Sequence, residues 1–139
     1  MKQQILVILA LVFLAVGCTE TPEPINFGKD QCSYCKMTIA DAKYGSELVT
    51  DKGRVQKYDA LECMINDIKA NDPAYSGLYA IAFNKPKTLI SVDSLLFVIS
   101  PNYKSPMGAN LASFTRQNVP KLEADNTYDW EGLLDKFDE

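Results

Sequence analysis

The first seventeen residues remove themselves from whatever the rest of the chain folds into. Lys2 gives a positive start, Ile5 to Val16 is an unbroken apolar run, and Ala15-Val16-Gly17 leads into Cys18. The run has the length of a signal-peptide core. It falls short of the roughly twenty residues that cross a bilayer. Small residues before the cut suit a peptidase cleft, and the cysteine supplies a thiol for diacylglycerol. We therefore expect residues 1–17 to be a lipoprotein signal peptide, with lipidation at Cys18. The alternative is a soluble secreted protein cut by an ordinary signal peptidase. The expected location is a bacterial membrane, with the protein lipid-anchored on the periplasmic or extracytoplasmic side. Two or more acyl chains hold a protein stably there, and one does so only marginally.

Residues 18–29 carry Pro22, Pro24 and small polar side chains, with little to bury. They read as a flexible tether. The folded domain is then expected over residues 30–139. Without Lys2, 13 basic residues stand against 18 acidic ones, a net charge of −5. No basic run stands out, so nucleic acid is not an expected partner. The chain has no histidine. That removes the commonest general base, the commonest zinc and copper(II) ligand, and any attached c-type haem.

Patterning within the domain indicates an α+β fold with antiparallel pairing. Met37 to Ala40 and Glu47 to Thr50 are strand candidates. Asp51-Lys52-Gly53 is a turn, and Arg54 to Tyr58 returns as a hairpin partner. Asp59 to Asn71 is the clearest helix, with Leu61, Met64, Ile65 and Ile68 on one face. Asp59 and Glu62 have the spacing of a capping box. Leu78 to Phe83, Thr88 to Val92, Leu95 to Ile99 and Leu111 to Thr115 are further strands, although Asp93 to Phe97 also suits a helical turn. Asp129 to Phe137 is a short helix with Trp130, Leu133, Leu134 and Phe137 on one side.

With Cys18 committed to lipid, Cys32, Cys35 and Cys63 remain. Cys32-Ser33-Tyr34-Cys35 can chelate a metal, close a disulfide or exchange disulfides. Met37 adds a thioether two residues on. Thiolate and thioether together form a soft set, which selects copper(I). A structural zinc site takes four Cys or His ligands, and three thiols cannot fill one. A thioredoxin-like motif opens a helix after a strand, whereas this one precedes a strand candidate. Cys63 points roughly 150° away from the helix's apolar face, so it meets either solvent or another element. Ser105-Pro106-Met107-Gly108 places a second methionine in a loop. A metal site combining Cys32, Cys35, Met37, Cys63 and Met107 would suit a carrier. The competing readings are an extracytoplasmic thiol–disulfide oxidoreductase using Cys32 and Cys35, and a structural lipoprotein domain with one disulfide.

In order along the chain, four features resemble the NosL family of copper-carrying lipoproteins. They are the lipobox at Cys18, Cys32-Ser33-Tyr34-Cys35-Lys36-Met37, Tyr58-Asp59 with Cys63-Met64, and Ser105-Pro106-Met107-Gly108 followed by Ala112-Ser113-Phe114. The resemblance implies two small ββαβ-type halves. It implies a non-enzymatic copper(I) chaperone for nitrous oxide reductase, working with an ABC-transporter-linked maturation machinery. Two positions depart from the family pattern. Lys36 stands where glycine is commoner, and Ala109-Asn110 stand where some members have a histidine ligand. The ligand set must therefore differ, and Cys63 is a candidate substitute.

Overall fold

The computed structural model describes residues 21–139. The signal segment, Cys18 and the start of the tether lie outside them. The first strands are β1 (Ser46–Thr50) and β2 (Val55–Tyr58), joined by a turn in which Gly53 has φ +75°. The helix α1 (Leu61–Asn71) follows, then β3 (Tyr75–Ile81) and β4 (Leu89–Ser91). These strands form one antiparallel sheet in the order β2-β1-β3-β4. A 3₁₀ turn (Val92–Ser94) leads into β5 (Leu95–Ile99), so the helical turn and the strand expected around residues 93–99 both form in sequence.

The second sheet is built from β5, β6 (Leu111–Thr115) and β7 (Thr127–Tyr128), in the order β6-β5-β7. Its pairing is also antiparallel. The two halves repeat one plan. In each, a central strand pairs with the strand that follows and with a third strand reached through a helical crossover. That crossover is α1 in the first half and a six-residue 3₁₀ segment, Lys121–Asn126, in the second. The second helix, α2 (Trp130–Asp138), closes the chain. Asp129 caps it by accepting the Gly132 N–H at 2.9 Å.

One main core joins the halves. It contains Leu48, Tyr58, Met64, Ile65 and Ile81 from the first half, with Leu95, Phe97, Leu111 and Leu133 from the second. Such burial is worth about 1.5–3 kcal/mol per large apolar side chain. Trp130, Leu134 and Phe137 of α2 pack against its edge, as the helical spacing predicts. A smaller cluster of Tyr44, Val98, Ala112 and Phe114 lies apart, with Phe83 and Tyr103 edge-on to their neighbours.

Three expectations need correction. Met37 to Ala40 forms no extended strand. Only a bridge between Gln31 and Thr38 appears, because the chain folds back on itself around the two cysteines. The capping box at α1 does not form. Ala60 occupies the N-cap without a side-chain bond, and the Asp59 carboxylate takes the Ala40 N–H instead. The tether also ends earlier than residue 29. Ile25 is buried, the Glu23 N–H donates to Glu47 Oε1 at 2.9 Å, and Lys57 Nζ donates to the Pro24 carbonyl at 2.9 Å.

Glu47 sits fully buried in β1, opposite Lys57, which is itself ion-paired to Asp30 at 3.0 Å. Burial pushes the Glu47 carboxyl up to about 7. Its unfolded value is roughly 4.3, so the fold favours the neutral acid. That contribution is complete below the unfolded value and is lost as pH rises through about 7. Glu47→Gln, which stays neutral, is expected to raise the thermal midpoint at pH 8 and to change it little at pH 4. Circular-dichroism melts giving the same increment at both pH values would refute this.

Candidate metal centre

The segment from Asp30 to Ile39 is a narrow hairpin. The Ile39 N–H donates to the Asp30 carbonyl at 2.9 Å, and the Cys32 N–H donates to the Met37 carbonyl at 2.8 Å. Lys36 closes the tip with φ +65°, its N–H reaching the Cys32 carbonyl at 3.1 Å. This is left-handed backbone, which glycine enters without cost. The glycine preference of the resembling family therefore has a local steric reason. Two anchors dock the hairpin: the Ser33 N–H to the Lys57 carbonyl of β2 at 2.7 Å, and the fully buried Ile39.

Docking brings the hairpin over the first turn of α1. There Cys32, Cys35 and Cys63 converge, with their Sγ atoms all within 4.8 Å of one another. All three are free thiols. Cys32 and Cys63 are buried, and Cys35 is half-buried. Cys63 lies off the apolar face of α1, as its angular position predicts, and the element it meets is the cysteine hairpin. Met64 beside it is ordinary core.

The three thiols ionise unequally. The Cys32 thiol is held far below its usual range, chiefly because the Cys63 S–H donates to it, with help from the backbone N–H groups of Asp59, Cys35 and Tyr34. The Cys35 N–H lies 3.5 Å from Cys32 Sγ. Cys63 is pushed up, first by that donation to Cys32 and then by burial. Cys35 is raised by burial, against the Met37 N–H that favours its thiolate. Cys32 is therefore the first thiolate, while Cys35 and Cys63 hold their protons more firmly and would release them only on binding a cation.

Met37 directs its backbone toward Cys35 while its side chain is 54% exposed. Met107 is 41% exposed at the tip of the β5–β6 loop, where Gly108 has φ +82°. That loop is fixed at its base. Ser105 Oγ donates to Glu62 Oε1, and the Leu111 N–H donates to Ser105 Oγ at 3.2 Å. Burial raises the Glu62 carboxyl, and the Ser105 hydroxyl opposes that rise. Sequence reasoning gave Glu62 to a cap and missed this bond, which spans 43 residues. It also missed the pair behind the cysteines, where buried Tyr58 donates to Asp67 at 2.6 Å. A tyrosine and an aspartate nine residues apart carry no signal of that pairing.

The sequence matches no family model and no curated protein. By structure, the chain aligns with the crystal structure of the copper chaperone NosL from Shewanella denitrificans at a TM-score of 0.66. The alignment covers 81% of this chain and 94% of that one, with 17% sequence identity. The fold is NosL-like. What the two chains share at that identity is the α+β architecture with its antiparallel sheets. Within this fold the present chain gathers three cysteines that could hold a metal ion.

Lys36 holds a conformation costing a non-glycine residue about 1 kcal/mol. Lys36→Gly is therefore expected to stabilise the reduced apo-protein by about that amount in urea unfolding. A loss of stability would mean that the contact from Lys36 Nζ to the Ser33 carbonyl outweighs the backbone strain.

Proposed function

We propose that the protein is a lipid-anchored copper(I) carrier without catalytic activity, supplying copper for the maturation of nitrous oxide reductase. The observation that carries this reading is the convergence of Cys32, Cys35 and Cys63, with one thiol predisposed to ionise. Three thiolates suit copper(I), which is soft and accepts a low coordination number. They leave a zinc ion one ligand short of its structural set. The NosL-like fold supports a chaperone's role. The lipobox at Cys18 supports anchoring at a membrane surface. The reductase and its ABC-transporter-linked machinery enter as destination through the ordered motifs that resemble the NosL family.

The burial of the sulfur atoms suits delivery. Cys32 and Cys63 retain the ion from inside, and half-buried Cys35 faces the side from which an acceptor approaches. An acceptor's sulfur or nitrogen can bond the copper(I) as the Cys35 bond breaks. No redox change is needed, because copper stays in the +1 state throughout. In this reading the exposed thioethers of Met37 and Met107 serve as weak ligands that guide the ion without trapping it.

Anaerobic titration of the reduced domain with copper(I), against a chromogenic chelator, tests the proposal. A tight one-to-one complex is expected. Cys32→Ser and Cys63→Ser should each lose most of the affinity, and Met107→Ala should weaken it less. Absence of copper(I) binding by the reduced wild type would sink the carrier reading. Catalysed reduction of insulin disulfides would instead favour the oxidoreductase.

A further inference from the structure

We infer that Glu62 is a positioning residue that ties the Met107 loop to the helical turn carrying Cys63. The inference rests on the carrier reading above and deepens it. Three observations meet at this residue. Glu62 immediately precedes Cys63 in the first turn of α1, so the two move as one rigid piece of helix. Its side chain is only 2% exposed, which is unusual for a glutamate and demands fixed partners. Those partners come from the β5–β6 loop: Ser105 Oγ donates to Glu62 Oε1, and the Ala109 N–H also favours the carboxylate.

The contacts bracket Met107 on both sides. Ser105, two residues before it, is hydrogen-bonded to the buried carboxylate, and the Ala109 N–H, two residues after it, favours the charged form. The tip is further shaped by the Gly108 N–H donating to the Ser105 carbonyl at 3.0 Å, and by left-handed backbone at Gly108 and Asn110. Ala109 packs against the core cluster that contains Cys32 and Cys63, with Cys35 at its margin. The methionine side chain is left partly exposed on a loop whose base cannot shift relative to Cys63. This is how outlying partners commonly orient a metal ligand: they touch no metal and fix the residue that does.

The test uses the reduced domain and a copper(I) competition titration with bathocuproine disulfonate. Ser105→Ala removes the hydroxyl with little loss of volume. Glu62→Leu removes the acceptor without adding a sulfur. Thermal melts verify that each variant folds, and Ser105→Ala serves alone if Glu62→Leu does not. Each is expected to weaken copper(I) binding by no more than Met107→Ala does, about 10-fold, the lower end of what loss of such supporting bonds costs. Added to Met107→Ala, neither should weaken binding further, because the loop then has no ligand left to misplace. Amide exchange should quicken over residues 105–111 and stay unchanged through the second half of α1. Full affinity in the folded variants, or losses that add to that of Met107→Ala, would overturn the inference while leaving the carrier intact. A wild type that binds no copper(I) would overturn both.

Discussion

The contact between Cys32 and Cys63 is the joint on which the rest of the site depends. One partner sits on a hairpin with almost no core of its own, and the other on a helix face that the hairpin covers, so that both join the main core. Neither position is stable alone. A bare helix face carrying a thiol would meet water, and the hairpin would lack a surface to bury Ile39 against. Packed together they bury both, and residues 61 to 65 of α1 are consequently covered on every side. The Cys63 S–H donated to Cys32 then polarises the cluster. Packing and acid–base chemistry have the same cause.

The duplicated plan of the fold explains where the second set of residues comes from. The hairpin and α1 belong to the first half. The Met107 loop joins β5 to β6 in the second half, the equivalent of the β1–β2 turn in the first. The first-half turn is a short one through Gly53, whereas its counterpart runs from Ser100 to Asn110 and reaches back to α1. The enlarged loop of one half thus meets the helix of the other at Glu62, the residue before Cys63. The parallel bridge from Ala82 to Ser113 locks that arrangement, with the Phe83 N–H reaching the Ser113 carbonyl at 2.7 Å.

Periodicity made the regular parts legible. The helix of residues 61–71 shows in its apolar stripe and the strand of residues 111–115 in its short apolar run, although each is buried on more than one face. The convergence of the three cysteines was legible in outline. Spacing identified the Cys32–Cys35 pair, and the angle of Cys63 on its helix required either solvent or a second element. Which of the two applied was decided by tertiary docking of the hairpin, which no local pattern encodes. The same limit applies to Asp59 and Glu62. Their spacing suits a capping box, yet each found a stronger partner from a distant segment: the Ala40 N–H in one case and the Ser105 hydroxyl in the other. Local capping competes with tertiary hydrogen bonds, and burial favours whichever leaves fewer polar groups unsatisfied.

The absence of histidine sharpens the chemistry the cluster can support. With three sulfurs and no imidazole, affinity has to come from thiolates, which hold copper(I) more tightly than a mixed set would. A carrier built this way risks failing to let go. Its relief is the asymmetry of burial: two thiols are sealed beneath the hairpin, and the third stands half-open beside Tyr34 and Met37, both exposed. In the proposed carrier an incoming ligand would meet Cys35 first each time. Retention and ordered release would then require no moving lid, only a hairpin whose tip is left uncovered.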